Sequence, residues 1–259
     1  MSEAINFFDD GEAYERAIGR WSRVAGDIIL DWLSLPGGLK WLDAGCGTGA
    51  FTRLVLERCA PEHISAIDPS TEQIEYAEAG QLGGPVNFHQ GDAMALRFGA
   101  DAFDAAIMAL VIQYISDRPK AMSEFRRVVR PGGTVAAYVW EGPDAGHPHQ
   151  PIFDARNSLG IHRHGPGGEI RSIAALTDLF EASGLKDVDS RVIGIQLNFD
   201  DFDDFDDFWS SQTALAAGKD SDPDTERVKA LVRERLVTGE DGPISYMARA
   251  NAVRGQVPG

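Results

Sequence analysis

The stretch WLDAGCGTGAF, residues 41–51, decides the fold of this chain. An apolar run over residues 39–44 leads into the turn GCGTG, and a helical pattern follows over residues 50–59. Glycines in such a turn let the backbone come close to a ligand without interference from Cβ atoms, and the first turn of the helix presents unpaired N–H groups. The stretch therefore predicts a strand, a ligand-binding turn and a helix.

Strands and helices alternate downstream of this turn. Apolar runs bounded by turn signals alternate with stretches of helical period, which is typical of βαβ units and a parallel sheet. The run FDAAIMAL is almost continuously apolar and predicts a central strand buried on both faces. The predicted strands are residues 64–68, 86–90, 103–110 and 134–141, and the predicted helices begin at about residue 71 and cover residues 117–129.

The order loosens after residue 141. Residues 142–168 are rich in Gly, Pro and His and show little periodicity, so we expect a long connection that lies over the ligand. Beyond it the pattern predicts helices over residues 173–183 and 224–236, and strands over residues 188–197 and 244–253.

Four phenylalanines recur at intervals of three in NFDDFDDFDDFWSS, with acidic pairs between them: Phe199, Phe202, Phe205 and Phe208. This spacing suits one face of a short helix. We expect the rings to pack in the core while the aspartates are solvated. The alternative is an aromatic wall for a substrate.

Composition and charge restrict the possible partners. The formal net charge of −16 disfavours nucleic acids and anionic membranes, because the average field of the protein repels phosphate groups. No apolar run is long enough to span a bilayer and the first residues lack the pattern of a secretion signal, so a cytoplasmic location is expected. The two cysteines do not form a disulfide framework and are expected to be reduced.

The glycine-rich turn alone leaves two classes of cofactor open. Gly45, Gly47 and Ala50 satisfy the dinucleotide fingerprint, so an NAD-dependent oxidoreductase stays possible at this point. Asp68 ends the second predicted strand, where a carboxylate accepts hydrogen bonds from the ribose hydroxyls of an adenosine ligand. An Asp at this position also starts turns or caps helices, and both cofactors contain adenosine.

Several linked segments together resemble the class I S-adenosylmethionine-dependent methyltransferases, and within them the small-molecule group called type 11. They cover roughly residues 38–141 in the order of that family. The similar segments are LDAGCGTG at 42–49, IDPS at 67–70, GDAMALRF at 91–98, FDAAIMALVIQYI at 103–115 and RPGGTVAAYVW at 130–140.

The resemblance implies a fold and a domain plan. The fold is α/β, Rossmann-like and doubly wound, with a mostly parallel seven-stranded sheet, an antiparallel last strand, and helical and loop insertions that form a lid. Residues 1–259 form a single domain in this plan. Residues 38–141 are its cofactor-binding core, and residues 1–35, 142–171 and 199–240 are cap segments on the substrate side.

The resemblance also implies the cofactor, S-adenosylmethionine, with S-adenosylhomocysteine as product. The residues it assigns to cofactor binding are Tyr14, Arg20, Asp43, Gly45, Cys46, Gly47, Asp68, Pro69, Ser70, Asp92, Ala93 and Leu110.

Each part of the cofactor has its own implied neighbours. The glycine turn and Asp43 adjoin the methionine part and its ammonium group, which Leu110 also borders. Asp68 takes the ribose hydroxyls. Around the adenine, Pro69 and Ser70 flank the ring while Asp92 and the amide of Ala93 bind its polar edge, although Ser70 is smaller than the residue usual there. Tyr14 and Arg20, on an opening helix, reach the carboxylate in this scheme, or else the helix simply packs on the surface.

Methyl transfer mainly requires alignment and exclusion of water, so the lack of a catalytic triad in the sequence is uninformative. No single catalytic residue is assigned. Where the acceptor needs a general base, the candidates are His147, His149, Tyr114, Tyr138 and Glu141.

Two histidine pairs, His147 with His149 and His162 with His164, lie in the long connection. No carboxylate or cysteine accompanies them at the spacing of a zinc site, so no metal is expected and solvated histidines are the preferred interpretation.

Three functions remain from the sequence: a small-molecule methyltransferase, which is preferred; an NAD-dependent oxidoreductase; and a non-catalytic protein that binds an adenosyl ligand. The expected partner is a small-molecule acceptor of unknown identity. The oligomeric state, monomer or homodimer, stays open.

Overall fold

A computed structural model gives the fold. It describes residues 20–142, 145–161, 167–216, 224–236 and 242–259, without the side chains of Arg20 and of residues 211–216. Four residues discussed above lie wholly or in their side chains outside this described part: Tyr14 and Arg20, which were predicted to bind the cofactor, and His162 and His164, which were expected to be solvated.

A single seven-stranded sheet with the order β3-β2-β1-β4-β5-β7-β6 forms the centre of the protein. The first five strands are parallel, whereas β7 runs antiparallel to both of its neighbours. This confirms the predicted doubly wound sheet with an antiparallel last strand. The strands are β1 Lys40–Ala44, β2 His63–Asp68, β3 Val86–Gln90, β4 Phe103–Ala109, β5 Val129–Trp140, β6 Lys186–Phe199 and β7 Ile244–Gln256.

Helices cover both faces of the sheet. Those described are α1 Arg20–Leu33, α2 Ala50–Cys59, α3 Thr71–Ala79, α4 Arg118–Val128, α5 Gln150–Ser158, α6 Ile173–Ala182, α7 Phe202–Ala216 and α8 Thr225–Leu236, with short 3-10 turns at Ile112–Tyr114 and Gly168–Ile170. The side chains of α4 and α6 pack on one face, and those of α1, α2, α5, α7 and α8 pack on the other. Fully burying one large apolar side chain contributes about 1.5–3 kcal/mol, so the two faces together supply most of the driving force for folding.

The strand order reverses between β1 and β4. The chain moves outward from β1 to β2 and β3 and then returns to place β4 on the other side of β1. Ligands of open α/β sheets bind in the crevice that such a reversal opens at the carboxyl ends of the strands. The GCGTG turn follows β1 at this crevice.

The four phenylalanines belong to the core. Phe205 is fully buried, and Phe199, Phe202 and Phe208 are each less than a tenth exposed. Their rings contact each other at centroid distances of 5.2 to 6.0 Å. The core interpretation is confirmed, because none of the four rings lines the crevice, but Phe199 belongs to β6 and only the other three lie on helix α7.

The long connection expected over residues 142–168 contains a helix that its weak periodicity did not predict. Helix α5, Gln150–Ser158, lies inside it. Pro151 stands at the start of this helix, where its fixed backbone angle is favourable, and Ile152 and Ala155 form its buried face. The flanking Gly, Pro and His residues obscure a periodicity that spans little more than two turns.

The predicted bounds of three strands also need correction. Strand β5 begins at Val129 rather than at residue 134, because the Pro-Gly-Gly segment continues the strand through a shift of register opposite β4. Strands β6 and β7 are longer than predicted, since they pair with each other from Lys186 opposite Gln256 to Phe199 opposite Ile244.

Strand β7 holds the loop between β5 and α5. The hydroxyl of Tyr246 donates to the carbonyl of Pro148 at 2.6 Å, and the amide of Arg249 donates to the carbonyl of Gly146 at 2.7 Å. The Arg249 guanidinium also donates to the carbonyl of Ala145 at 2.8 Å and pairs with Glu141 at 2.9 Å. These bonds attach the loop to the sheet.

Candidate functional site

The turn after β1 is fixed to the end of β2. The amides of Gly45 and Cys46 both donate to the carbonyl of Ile67, at 2.7 and 2.9 Å. Gly45 has φ +78°, and a Cβ atom there would lie 2.4 Å from the side chain of Val111. Only glycine fits this position without movement of its neighbours, so the turn packs closely against the residue that follows Leu110.

Asp68 joins the turn to the loop after β2. One carboxylate oxygen accepts from the amide of Gly47 at 3.0 Å, and the other accepts from the amide of Ser70 at 2.9 Å. Burial raises the pKa of Asp68, while these two hydrogen bonds act in the opposite direction. Each oxygen retains a lone pair for a further donor, so the carboxylate can also accept hydrogen bonds from a ligand.

Asp43 lies beneath the turn, at the buried end of β1. Its carboxylate accepts from the hydroxyl of Thr52 at 2.6 Å, and its other oxygen has no hydrogen-bond partner among the described residues. Burial raises the pKa of Asp43 to about 7, and the charge of Asp68 adds to this rise. A cation above the turn would favour the ionised carboxylate.

The opposite wall of the crevice is formed by Leu110 at the end of β4. Leu110 has φ +61°, a conformation that residues with a Cβ atom adopt rarely and that is frequent at functional sites. Its amide donates to the carbonyl of Tyr138 at 3.0 Å, and its carbonyl accepts from the side-chain amide of Gln113 at 2.6 Å. These two bonds hold Leu110 in its strained position.

One cleft connects these features. It extends from the turn after β1 across the ends of β4 and β5 and is bordered on one side by α1. The residues that line it are Ser22, Arg23, Gly45, Cys46, Gly47, Thr48, Ala50, Phe51, Leu54, Asp68, Pro69, Gln73, Ala109, Leu110, Val111, Gln113, Tyr114, Tyr138 and Trp140.

Half of the residues predicted to bind the cofactor line this cleft: Gly45, Cys46, Gly47, Asp68, Pro69 and Leu110. Asp43 and Ser70 are not in its wall: Asp43 accepts a hydrogen bond from Thr52, and the amide of Ser70 donates to Asp68, which is in the wall. The thiol of Cys46 is buried, which raises its pKa well above the ordinary value and leaves it in the neutral form.

Asp92 and Ala93 lie in the loop after β3, outside the lining of the cleft. The amide of Gly91 donates to the carbonyl of Asp68 at 2.9 Å, so this loop adjoins the end of β2. The exposed carboxylate of Asp92 accepts from the amide of Met94 at 2.8 Å. The three predicted contact regions therefore meet at one edge of the sheet.

Residues that the sequence did not single out form much of the cleft. Ser22, Gln73, Gln113 and Trp140 each bury a polar side-chain atom that has no hydrogen-bond partner within the described ranges. Gln113 and Trp140 stand in segments that resemble the family, but only the folded chain shows that these side chains reach the cleft. No described residue of 142–171 or 199–240 lines the cleft, whereas α1 contributes Ser22 and Arg23.

Two of the five candidate general bases, Tyr114 and Tyr138, line the cleft. Glu141 is ion-paired with Arg249, and His147 and His149 lie in the loop that leads to α5.

The expectation of solvated histidines is wrong for the pair that the structure describes. His149 is 5% exposed, and its ring stacks on Phe208 at a centroid distance of 4.6 Å. The ring nitrogen Nδ1 of His147 accepts from the amide of His149 at 3.1 Å. Burial lowers the pKa of His149 to about 3, with a smaller contribution from Arg156, so the ring is neutral and belongs to the core.

The described residues contain neither a membrane-spanning helix nor a metal-binding cluster. None of the helices there is both long and apolar enough to cross a membrane. Within the same ranges no three residues of the types His, Cys, Asp and Glu are grouped so as to hold a metal ion.

Known proteins that are similar to this chain are methyltransferases. A family model described as a methyltransferase domain matches residues 42–137. The malonyl-[acyl-carrier protein] O-methyltransferase of Pectobacterium atrosepticum is 33% identical over 142 residues, which are 52% of this chain and 54% of the relative. The ubiquinone/menaquinone biosynthesis C-methyltransferase UbiE of a Ruegeria species is 33% identical over 115 residues, 43% of this chain and 46% of the relative. The matches thus span about half the length of these curated relatives.

A solved structure supports the fold over nearly the whole chain. The phosphoethanolamine N-methyltransferase 2 of Haemonchus contortus, in complex with S-adenosyl-L-methionine, matches with a TM-score of 0.59 and 17% identity over 96% of this chain and 57% of that chain. Residues 42–137 therefore match the methyltransferase-domain family, and the fold of the chain is one that a solved methyltransferase shares.

Proposed function

We propose that the protein binds S-adenosylmethionine in the cleft and transfers its methyl group to a small-molecule acceptor, in the cytoplasm. One observation carries this proposal: the turn that admits no Cβ atom at Gly45 is joined, through Gly47, to a carboxylate at the end of β2. The glycine turn and the Asp68 carboxylate both line the cleft. A glycine turn next to a carboxylate that can accept two further hydrogen bonds suits an adenosyl ligand.

The residues present fit this cofactor. Asp68 would accept hydrogen bonds from the ribose hydroxyls. Asp43 would help to hold the ammonium group, since it lies beneath the turn and one of its carboxylate oxygens has no partner among the described residues. The loop after β3, with Asp92 and Ala93, adjoins Asp68 and would bind the adenine together with Pro69 and Ser70. Leu110 would border the methionine part, and Tyr14 and Arg20 would reach its carboxylate.

When bound, S-adenosylmethionine supplies a methyl group that its sulfonium activates. The chain contributes alignment and exclusion of water, and well-oriented approach is worth about 7–11 kcal/mol of the barrier. Tyr114 and Tyr138 are the candidate bases that line the cleft. The relatives named above act on a protein-carried malonyl group and on quinones, so the acceptor class is not set by family membership.

Calorimetric titration of the protein with S-adenosylmethionine and S-adenosylhomocysteine tests the proposal. We expect saturable binding of both compounds and no binding of NADH. In Asp68→Asn the affinity for S-adenosylhomocysteine should fall by roughly 30-fold or more, because hydrogen bonds to a charged group are worth about 1.5–3 kcal/mol each.

Asp178→Asn is the matched control, since Asp178 is exposed on α6 far from the cleft lining. Both variants need an unchanged melting temperature for the comparison to count. Absence of heat with both adenosyl compounds, or tight binding of NADH, would refute the proposal.

A further inference from the structure

Two buried polar atoms in the wall of the cleft are not assigned to the cofactor. Trp140, at the end of β5, is 3% exposed. Its indole nitrogen is buried and has no hydrogen-bond partner in the part of the chain that the structure describes. The hydroxyl of Ser22 on α1, a residue 9% exposed, equally lacks a partner there. Buried polar groups normally have partners, so both atoms call for an explanation.

The other two unpartnered side chains of the cleft belong to its cofactor half. A Cβ atom on Gly47 would lie 3.8 Å from the amide oxygen of Gln73, which places Gln73 beside the turn. Gln113 bonds to the carbonyl of Leu110 at 2.6 Å. Trp140 and Ser22 are the pair that remains.

The sheet order separates Trp140 from the ribose-binding carboxylate. Asp68 ends β2, the glycine turn follows β1, Leu110 follows β4, and Trp140 ends β5, in the spatial order β2-β1-β4-β5. Neighbouring strands lie about 4.8 Å apart, so Trp140 stands roughly 14 Å from Asp68 across the cleft. A cofactor that extends from Asp68 to Leu110 leaves the end of β5 for a second molecule.

The walls at this end define the chemistry of that molecule. Phe51, Leu54 and Tyr138 are apolar surfaces, and the rings of Phe51 and Tyr138 lie 5.9 Å apart. Arg23 is the one cationic residue in the described lining, and it pairs with Glu57 at 2.6 Å. A charged ligand would therefore be desolvated here without a counter-charge from the described walls.

We propose that Trp140 and Ser22 form the acceptor subsite, and that it takes an uncharged, largely apolar compound whose oxygen accepts a hydrogen bond from the indole N–H of Trp140. An indole N–H is a donor only, so its partner must be an acceptor such as a hydroxyl or carbonyl oxygen. The Ser22 hydroxyl donates or accepts and binds a second polar group. The inference rests on the proposed function in taking the other half of the cleft as the cofactor site.

Nuclear magnetic resonance of the indole N–H groups tests the subsite with defined probes. The chain has five tryptophans, and Trp140→Phe identifies the resonance of Trp140 by its loss. The ¹⁵N-labelled full chain is titrated with 2-naphthol, with naphthalene, which lacks the oxygen, and with 2-naphthoate, which is anionic. Each titration is run with and without saturating S-adenosylhomocysteine.

We expect 2-naphthol to move the Trp140 indole proton downfield in a saturable way, naphthalene to produce no downfield shift, and 2-naphthoate to bind more than about tenfold more weakly. Trp140→Phe should weaken 2-naphthol binding roughly tenfold, and Ser22→Ala by a smaller factor, while both keep the affinity for S-adenosylhomocysteine. Trp41→Phe is the matched control, because the Trp41 indole nitrogen is also buried without a partner in the described ranges but faces away from this cleft.

An unmoved Trp140 resonance with 2-naphthol, an equal shift with naphthalene, or equal binding of 2-naphthoate would overturn the subsite. A large loss of S-adenosylhomocysteine affinity in Trp140→Phe would instead assign the indole to the cofactor and overturn it as well. Failure of S-adenosylhomocysteine to bind the unmodified chain would refute the proposed function alone, since the titrations without it still report on Trp140.

Discussion

Residues 40–140 and residues 145–259 build the same sheet by different means. In the first region the helices that follow β1, β2 and β4 each lead the chain to a parallel neighbouring strand, and the site forms from loops at the ends of these strands. In the second region β6 and β7 pair antiparallel over their whole lengths, and aromatic rings from α7 pack beneath them. The first region therefore provides most of the lining of the cleft and the second supplies mainly support, so substitutions in the two regions should have separable effects.

The largest expected effect on stability lies in the second region. Phe205→Ala should lower the free energy of unfolding by about 3–5 kcal/mol, because it leaves a cavity at a fully buried ring. The affinity for S-adenosylhomocysteine, measured by calorimetry below the melting transition, should stay the same. Chemical denaturation measures the loss of stability.

Tyr76→Ala is the control for this aromatic deletion, since Tyr76 is 40% exposed and its removal should change stability by no more than about 0.5 kcal/mol. A stable Phe205→Ala variant that no longer binds S-adenosylhomocysteine would contradict the division of roles between the two regions.

The next largest effect lies in the first region and combines stability with binding. Gly45→Ala should lower stability by about 3 kcal/mol and abolish binding of S-adenosylhomocysteine, because it adds both a left-handed backbone strain and a clash with Val111. Gly38→Ala separates the two causes. Gly38 has φ +76° with no atom within 4 Å of its Cβ position, so the substitution should cost only about 1–2 kcal/mol and leave binding intact.

Val111→Ala in the Gly45→Ala background should restore part of the lost stability if the clash is real. Equal losses in the two glycine variants, with binding retained in both, would show that the turn is not open to the ligand in the way the structure indicates.

The smallest effect is a dependence of stability on pH that originates in the second region. His149 has a pKa of about 3 in the folded chain and the ordinary value near 6.5 when unfolded. The unfolded chain therefore binds the additional proton between these values, and the stability is present above pH 6.5 and lost as the pH falls below it. His149→Phe keeps a ring against Phe208 and should reduce the loss of stability between pH 7 and 5.5 by about 1 kcal/mol.

The pH dependence must be read as the difference between the parent chain and His149→Phe, because Asp43 also contributes to it. Its pKa is raised to about 7, so its contribution falls as the pH rises from 3.8 towards 7, opposite in sign to that of His149. His147, whose pKa burial also lowers, continues to contribute in the variant. Identical pH profiles of the parent chain and His149→Phe would show that His149 is not held neutral by burial.

The sequence predicted the structure of the first region better than that of the second. The alternation of strands and helices, the glycine turn and Asp68 depend on short-range patterns, and the structure places them where the sequence predicts. Helix α5 and the burial of His149 were missed, because a ring from another part of the chain, Phe208, decides the environment of His149. Ser22 and Trp140 were missed for the same reason, since only the packing of α1 across the ends of the strands brings them into one cleft.

The bonds from Tyr246 and Arg249 to the loop before α5 bear on how this scaffold can be re-engineered. The loop and the final strand are held together although about a hundred residues separate them in the sequence. The Tyr246 hydroxyl and the Arg249 guanidinium of β7 donate hydrogen bonds to carbonyl groups of the loop. A chimaera that imports the loop of a relative should therefore import that relative's last strand as well. Exchange of the loop alone would leave these donors of β7 facing carbonyls that no longer meet them.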